Sequence, residues 1–237
     1  QTRWERLSIV SAATRALEFE RAETDKIFVK LRSGQESYST ALATGASGAA
    51  KLGESVMGLA WRALAAEADE QFYLRFMQGH IHALRQLQRT HSWAATEPIF
   101  TTNNAQLDVF CSWPGRAMLI SGMATPNFSR MFVNLHRYET ERELTIAALA
   151  LERFRLRRGR YPGALTELVP EFVAAVPVDW MDGKPLRYRR NADGRFTLWS
   201  IGEDLKDDGG DPTPTSAGSS RNPFWERRDV VWPVAPR

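Results

Sequence analysis

The stretch SIGEDLKDDGGDP, Ser200 to Pro212, carries five acidic side chains, Glu203, Asp204, Asp207, Asp208 and Asp211, around the pair Gly209–Gly210. Carboxylates at this density repel one another, so water, nearby arginines or a bound cation must offset the repulsion. Calcium takes six to eight hard oxygens at about 2.3–2.6 Å, supplied by carboxylates and carbonyls on a turning backbone. Glycines such as Gly209 and Gly210 permit the sharp turns. The alternative is a solvated acidic turn, with Asp207 and Asp208 facing water or pairing with Arg227 and Arg228. The run is not an EF-hand, because the twelve-residue Asp pattern with a closing Glu is missing.

Other candidate chemistry is thinner. His80 and His82 are two residues apart, which on a helix points them in nearly opposite directions, so they do not ligate one ion. His91 returns to the face of His80 but about 16 Å along the axis. Glu67, Asp69 and Glu70 lack the Glu-x-x-His pairs of a di-metal bundle and read as a solvated helix face. Cys111 is the single cysteine; it allows no intrachain disulfide, and nothing beside it in sequence activates a thiolate. No Gly-x-Ser-x-Gly, phosphate-loop or dinucleotide fingerprint occurs. The sequence therefore predicts a non-catalytic protein.

The chain has 237 residues, 43% hydrophobic and 25% charged, which is ordinary globular composition for one large domain or two modest ones. The pI of about 9.2 comes with a net charge of only +3. That excess is spread thinly, so no nucleic-acid partner is expected. The densest basic run, RFRLRRGRYP, lies at a predicted helix end, where cations are favourable. No stretch approaches the roughly 18 apolar residues of a membrane span. The chain begins with Gln1, and a membrane tether, where there is one, is expected outside this stretch.

Around these residues the chain reads as helix first and sheet last. Helical spacing runs from Trp4 to about Leu31 and from Glu54 to about His91. TEPIFTTNNAQ, with Pro98 and the Asn pair, predicts a break, and Pro114–Gly115 predicts a turn. A long helix is expected from Asn127 to Arg158, stopped by Gly159 and Pro162. It carries Leu144, Ala148, Leu151 and Phe154 on one face and Ile146, Leu149 and Leu156 on a second, which predicts contact on two sides. A short helix follows in ALTELVPEFVAAVPVD. PLRYRR and RFTLWSIG flank the turn NADG and predict a hairpin. PTPTSAGSSRNP is Pro/Ser/Gly-rich, and RRDVVWPV closes the chain as a short strand.

From about Glu139 to Trp232 the order of these pieces resembles the globular part of the major pseudopilin of type II secretion systems. The long helix ends in ALALERFRLRRGRYP; then come LTELVP, VPVDWMDGKPLRYR, GRFTLWSIGEDLKDDGGD and RDVVW. The resemblance implies a calcium site in the acidic loop. It places Asp204 and Asp211 as ligands, Asp207 and Asp208 as further candidates, Asp229 reaching back from the closing strand, and the Ile201 carbonyl as a backbone ligand. Two features depart from the family: no apolar polymerising helix precedes this region, and Asp179 lacks a following proline.

The expected architecture is α+β: an all-helical domain over 1–136, then over 137–237 a long helix packed on a small antiparallel sheet, with the acidic loop at 202–212. The expected role is structural or protein-interacting, in a bacterial cell envelope, with a protein partner and calcium as stabiliser. A hydrolase with an inter-domain site and a true secretion or pilus component are the competing readings.

Overall fold

The computed structural model describes residues 8–37, 49–112, 119–124, 128–215 and 225–233, the side chains of 49–55, 110–111 and 123–124 excepted. Trp4, Leu7, Gly45, Gly48, the Pro114–Gly115 turn, the side chain of Cys111 and most of the Pro/Ser/Gly-rich run lie outside these residues. The described chain is α+β: mostly helical, with one small antiparallel sheet. Its helices are α1 Ile9–Ser33, α2 Ala49–Leu64, α3 Ala66–Thr90, α4 Trp93–Ser112, the single turn α5 Ile120–Ala124 and α6 Ser129–Arg158. A 3-10 turn, Leu165–Leu168, precedes strands β1 Arg187–Arg190, β2 Phe196–Ser200 and β3 Val230–Trp232, in the order β1-β2-β3. Among the described residues no helix is long and apolar enough to cross a membrane.

The described residues fall into two compact units. One is helical, Ser11–Arg85 with Glu97–Phe128; the other takes Gln1–Val10, Gln86–Thr96 and Ser129–Arg237. In the helical unit Phe28, Trp61, Tyr73, Phe76, Met77, Ile81 and Leu84 are buried. Phe28 lies 5.7 Å from Tyr73 and 6.3 Å from Trp61, centroid to centroid. The predicted break at Pro98 does not occur, and α4 runs through it. Pro98 sits in the second turn, where its missing N–H costs one hydrogen bond near an end rather than mid-helix. The asparagines are not turn residues either: buried Asn103 donates from Nδ2 to the Phe76 carbonyl at 3.0 Å. The stretch of helical spacing from Glu54 to about His91 is carried by two helices, α2 and α3, separated at Ala65.

In the α+β unit, α6 ends where the sequence puts it. Gly159 has φ 74° and donates to the Arg155 carbonyl at 2.8 Å, a left-handed cap that a residue with a Cβ adopts only under strain. Leu144, Ala147, Ala148, Leu151 and Phe154, at helical spacing, bury one face against Leu165, Leu168, Phe172, Met181, Leu186, Leu198 and Val230. Each fully buried leucine in such a layer contributes about 1.5–3 kcal/mol. The second apolar face is covered only in part: Ile146 is buried, but Leu149 is 52% and Leu156 76% exposed. The hairpin pairs Arg190 with Phe196 and Arg187 with Trp199, and β3 adds Val230 opposite Ser200.

Gly79 sets how closely α3 and α4 approach within the helical unit. A Cβ built there would stand 2.1 Å from Oδ1 of buried Asn103. Asn103 is held by Phe76 and His80 and cannot swing away without giving up those bonds. Gly79→Ala is therefore expected to destabilise the protein by about 1–3 kcal/mol, read as a lowered Tm in thermal unfolding. An unchanged Tm would show that the helices separate freely here.

Candidate functional site: the acidic loop

The loop leaves β2 at Ser200 and folds back over the sheet. Gly210 lies flat on the outer face of β2, where a Cβ would come within 3.1 Å of Thr197 Cγ2 and 3.3 Å of the Trp199 ring. The ring is closed in by Arg189, whose guanidinium carbon is 5.6 Å from its centroid. Arg189 also donates to the Gly209 carbonyl at 3.3 Å.

Each predicted ligand has another use. Asp204 accepts the Lys206 N–H at 3.1 Å in an exposed turn. Asp207 accepts the Trp199 indole N–H at 2.9 Å and the Gly209 N–H at 3.1 Å, and lies 3.7 Å from Arg187 Nε. Asp208 stands 3.9 Å from Arg228 Nη1. Asp211 accepts the N–H and hydroxyl of Thr213, both at 3.0 Å, with Arg228 Nε at 3.8 Å. Asp229 is fully buried and receives the backbone N–H groups of Asp208 (3.4 Å), Gly210 (2.8 Å) and Asp211 (3.0 Å). Ile201 takes part through its amide, which donates to Asp179 Oδ2 at 3.0 Å.

These oxygens face amides, an indole and guanidiniums rather than one another. Among the described residues no group of three or more His, Cys, Asp and Glu side chains is placed to hold a metal ion. Calcium needs convergent oxygens, so the expected ligand set does not fit it in this arrangement. The repulsion is offset instead by backbone donors, Arg187 and Arg228. Of the expected ligands, Asp229 is the centre of the loop, but as an acceptor for amides. Burial pushes its carboxyl up, against the pull of the three amides.

The sequence reading missed a second buried acid beneath the loop. Asp179 accepts N–H from Met181 (3.1 Å) and Ile201 (3.0 Å), the Ser200 hydroxyl (2.8 Å) and Arg187 Nη1 (3.0 Å). Burial raises its pKa despite these donors. Arg187 continues to Asp182 Oδ2 at 2.6 Å. The available signal was an Asp-x-x-Asp-Gly turn eight residues before an arginine that opens a strand. A third group ties the loop's start to α6: Arg137 grips both oxygens of Glu203 at 2.7 Å. Burial alone would raise Glu203, but the Arg137 guanidinium on both its oxygens reverses this and holds the carboxyl below the usual carboxylate range. His136 is buried and stacked on Trp93 at 4.5 Å, and its Nε2 is 3.6 Å from Glu203, too far for a hydrogen bond.

The remaining described sequence candidates divide between buried and exposed positions. Asp69, expected in a solvated face, is buried. It receives the Ile120 (2.7 Å) and Ser121 (3.1 Å) N–H groups, the Ser121 hydroxyl and the Trp61 indole (2.8 Å), capping α5. Glu70 pairs with Arg32 at 2.7 Å and is nearly buried, whereas Glu67 is exposed. His80 is buried between Phe76 and Asn104, while His82 faces solvent. No family model, no curated protein and no solved structure matches the chain.

Two outcomes test the loop. Asp229→Asn, which sets an amide against three N–H donors, is expected to cost about 1–3 kcal/mol, while Asp204→Ala changes stability by less than about 0.5 kcal/mol. Chelator and added calcium are expected to leave the wild-type Tm unchanged. A calcium-dependent rise in Tm that Asp204→Ala abolishes would restore the metal site. Burial also lowers the pKa of His136, so the folded state holds it neutral while the unfolded chain protonates near about pH 6.5. Its contribution is full above that value and is lost as pH falls. The stability difference between about pH 7 and about pH 5 should therefore shrink in His136→Phe, measured by denaturant titration at each pH.

Proposed function

We propose that this is a non-catalytic, envelope-associated bacterial protein whose C-terminal region, resembling the type II secretion pseudopilin globular part, serves a structural or protein-interaction role. The observation that carries the reading is the order of pieces along one compact unit. A long helix ends at Gly159, and a 3-10 turn, a hairpin, an acidic loop and a closing strand follow. The way the unit uses its charge supports it further. Asp179, Glu203 and Asp229 are each engaged by amides or an arginine, an arrangement suited to bracing loops. The bracing fixes the backbone that a protein partner would meet.

The reading is tested by fractionating cells that make the protein and by assaying the purified chain on chromogenic esters, phosphoesters and glycosides. Recovery with the envelope and no turnover are expected. Reproducible turnover abolished by His136→Phe in a folded variant would replace this reading with the hydrolase.

A further inference from the structure

The arginine-rich end of α6 takes no part in bracing the acidic loop. Arg160 Nη1 and Arg190 Nη1 both donate to one acceptor, the Tyr161 carbonyl, at 3.4 Å each. Their nitrogens therefore lie within twice that distance of one another. Arg155 stands over the ring of the same tyrosine, 5.7 Å from its centroid. Guanidiniums gathered on a neutral carbonyl repel one another, and the carboxylates nearby are already shared. Glu167 is 3.9 Å from Arg160 Nη2, but its other oxygen receives the Gly163 and Ala164 N–H groups at 2.6 and 3.3 Å. Glu171 serves Arg157 and Arg158 together, at 2.6 and 2.8 Å. Glu152 receives the Tyr161 hydroxyl at 2.5 Å and Arg155 at 3.0 Å. Arg190 is exposed, and its guanidinium bonds to that carbonyl rather than to an acid. Beside these groups opens a pocket of about 370 Å³ lined by Phe154, Arg158, Arg160 and Glu167.

We propose that a phosphate monoester binds at the edge of this pocket, where Arg160 of its lining meets Arg190 on the Tyr161 carbonyl, with both arginines closing on the phosphate and Arg158, also in the lining, adding a third cation. A guanidinium fork matches phosphate oxygens in geometry and charge. A phosphate oxygen would replace the Tyr161 carbonyl as a far stronger acceptor and relieve the repulsion between the two arginines. The cluster suits a single phosphate rather than a polyanion backbone, because Glu152, Glu167 and Glu171 bound it and would repel an extended chain of charge. Glu167 lines the pocket itself and opposes the ligand.

The test is calorimetric titration of the full chain with phenyl phosphate, and flotation with vesicles of phosphatidylcholine, with and without phosphatidic acid. Saturable binding is expected in at least one arm. Binding of the soluble ester assigns a soluble ligand, and binding only to phosphatidic acid vesicles assigns a lipid headgroup. Arg160→Gln and Arg190→Gln should each weaken it at least about tenfold, and Glu167→Gln should tighten it. Arg195→Gln removes the same charge from the exposed hairpin tip and should leave binding unchanged. Since Arg190 is exposed, its variant is expected to fold, which circular dichroism checks. No saturable binding in either arm, or equal weakening by Arg195→Gln, would overturn the site.

Discussion

A carboxylate taken out of water must find donors inside the protein, and that demand organises both units of this chain. Asp179 is fully buried among two backbone amides, a hydroxyl and a guanidinium. An unmatched charge in that position would cost several kcal/mol. The turn at Met181, the end of β2 and the start of β1 are therefore held in register around one side chain. Asp229 does the same for residues 208–211, and Asp69 for the first turn of α5. Glu139 receives the N–H groups of Ile9 (2.8 Å) and Val10 (3.4 Å), the orphan donors at the start of α1. Negative charge is favourable at a helix N-terminus, so Asp69 and Glu139 stabilise the helix starts they also fix.

This use of charge answers why a nearly neutral chain gathers acids near its end. In the region 200–212 only part of the negative charge is solvated. Asp207 binds an indole and Asp211 a threonine, while Asp229 supplies from below the acceptor that the turning amides need. Gly210 keeps the backbone close enough to Trp199 for this to work. In the sequence these features left water, arginines or a cation open; in the fold the turning amides of 208, 210 and 211 meet Asp229.

What was legible in the sequence was local. Gly159 as a cap, the Asp193–Gly194 hairpin and the apolar stripe from Leu144 to Phe154 each depend on neighbours in the chain, and each occurs as read. What was not legible depended on distant backbone. An amide has no side-chain signature, so nothing at Ile9 announces Glu139, and nothing at Gly210 announces Asp229. Pro98 and Asn103 misled because their local preference for a turn yields to a tertiary bond from Asn103 to the Phe76 carbonyl. Asp69 misled for a related reason: its acidic neighbours suggested a wet face, while its own partners lie at Trp61 and Ser121.

The reach of these ties has a consequence for the time course of synthesis. The first turn of α1 is completed by a residue 130 positions later, and the acidic loop by one that lies 18 to 21 positions downstream. Contacts of such separation form late because the intervening chain must be ordered first. A ribosome-bound chain lacking Asp229 still exposes the amides of 208, 210 and 211, and one lacking Glu139 leaves the amides of Ile9 and Val10 without that carboxylate. The earliest described helix and the acidic loop are both closed by residues made later, so a chain stopped short of β3 leaves the loop open.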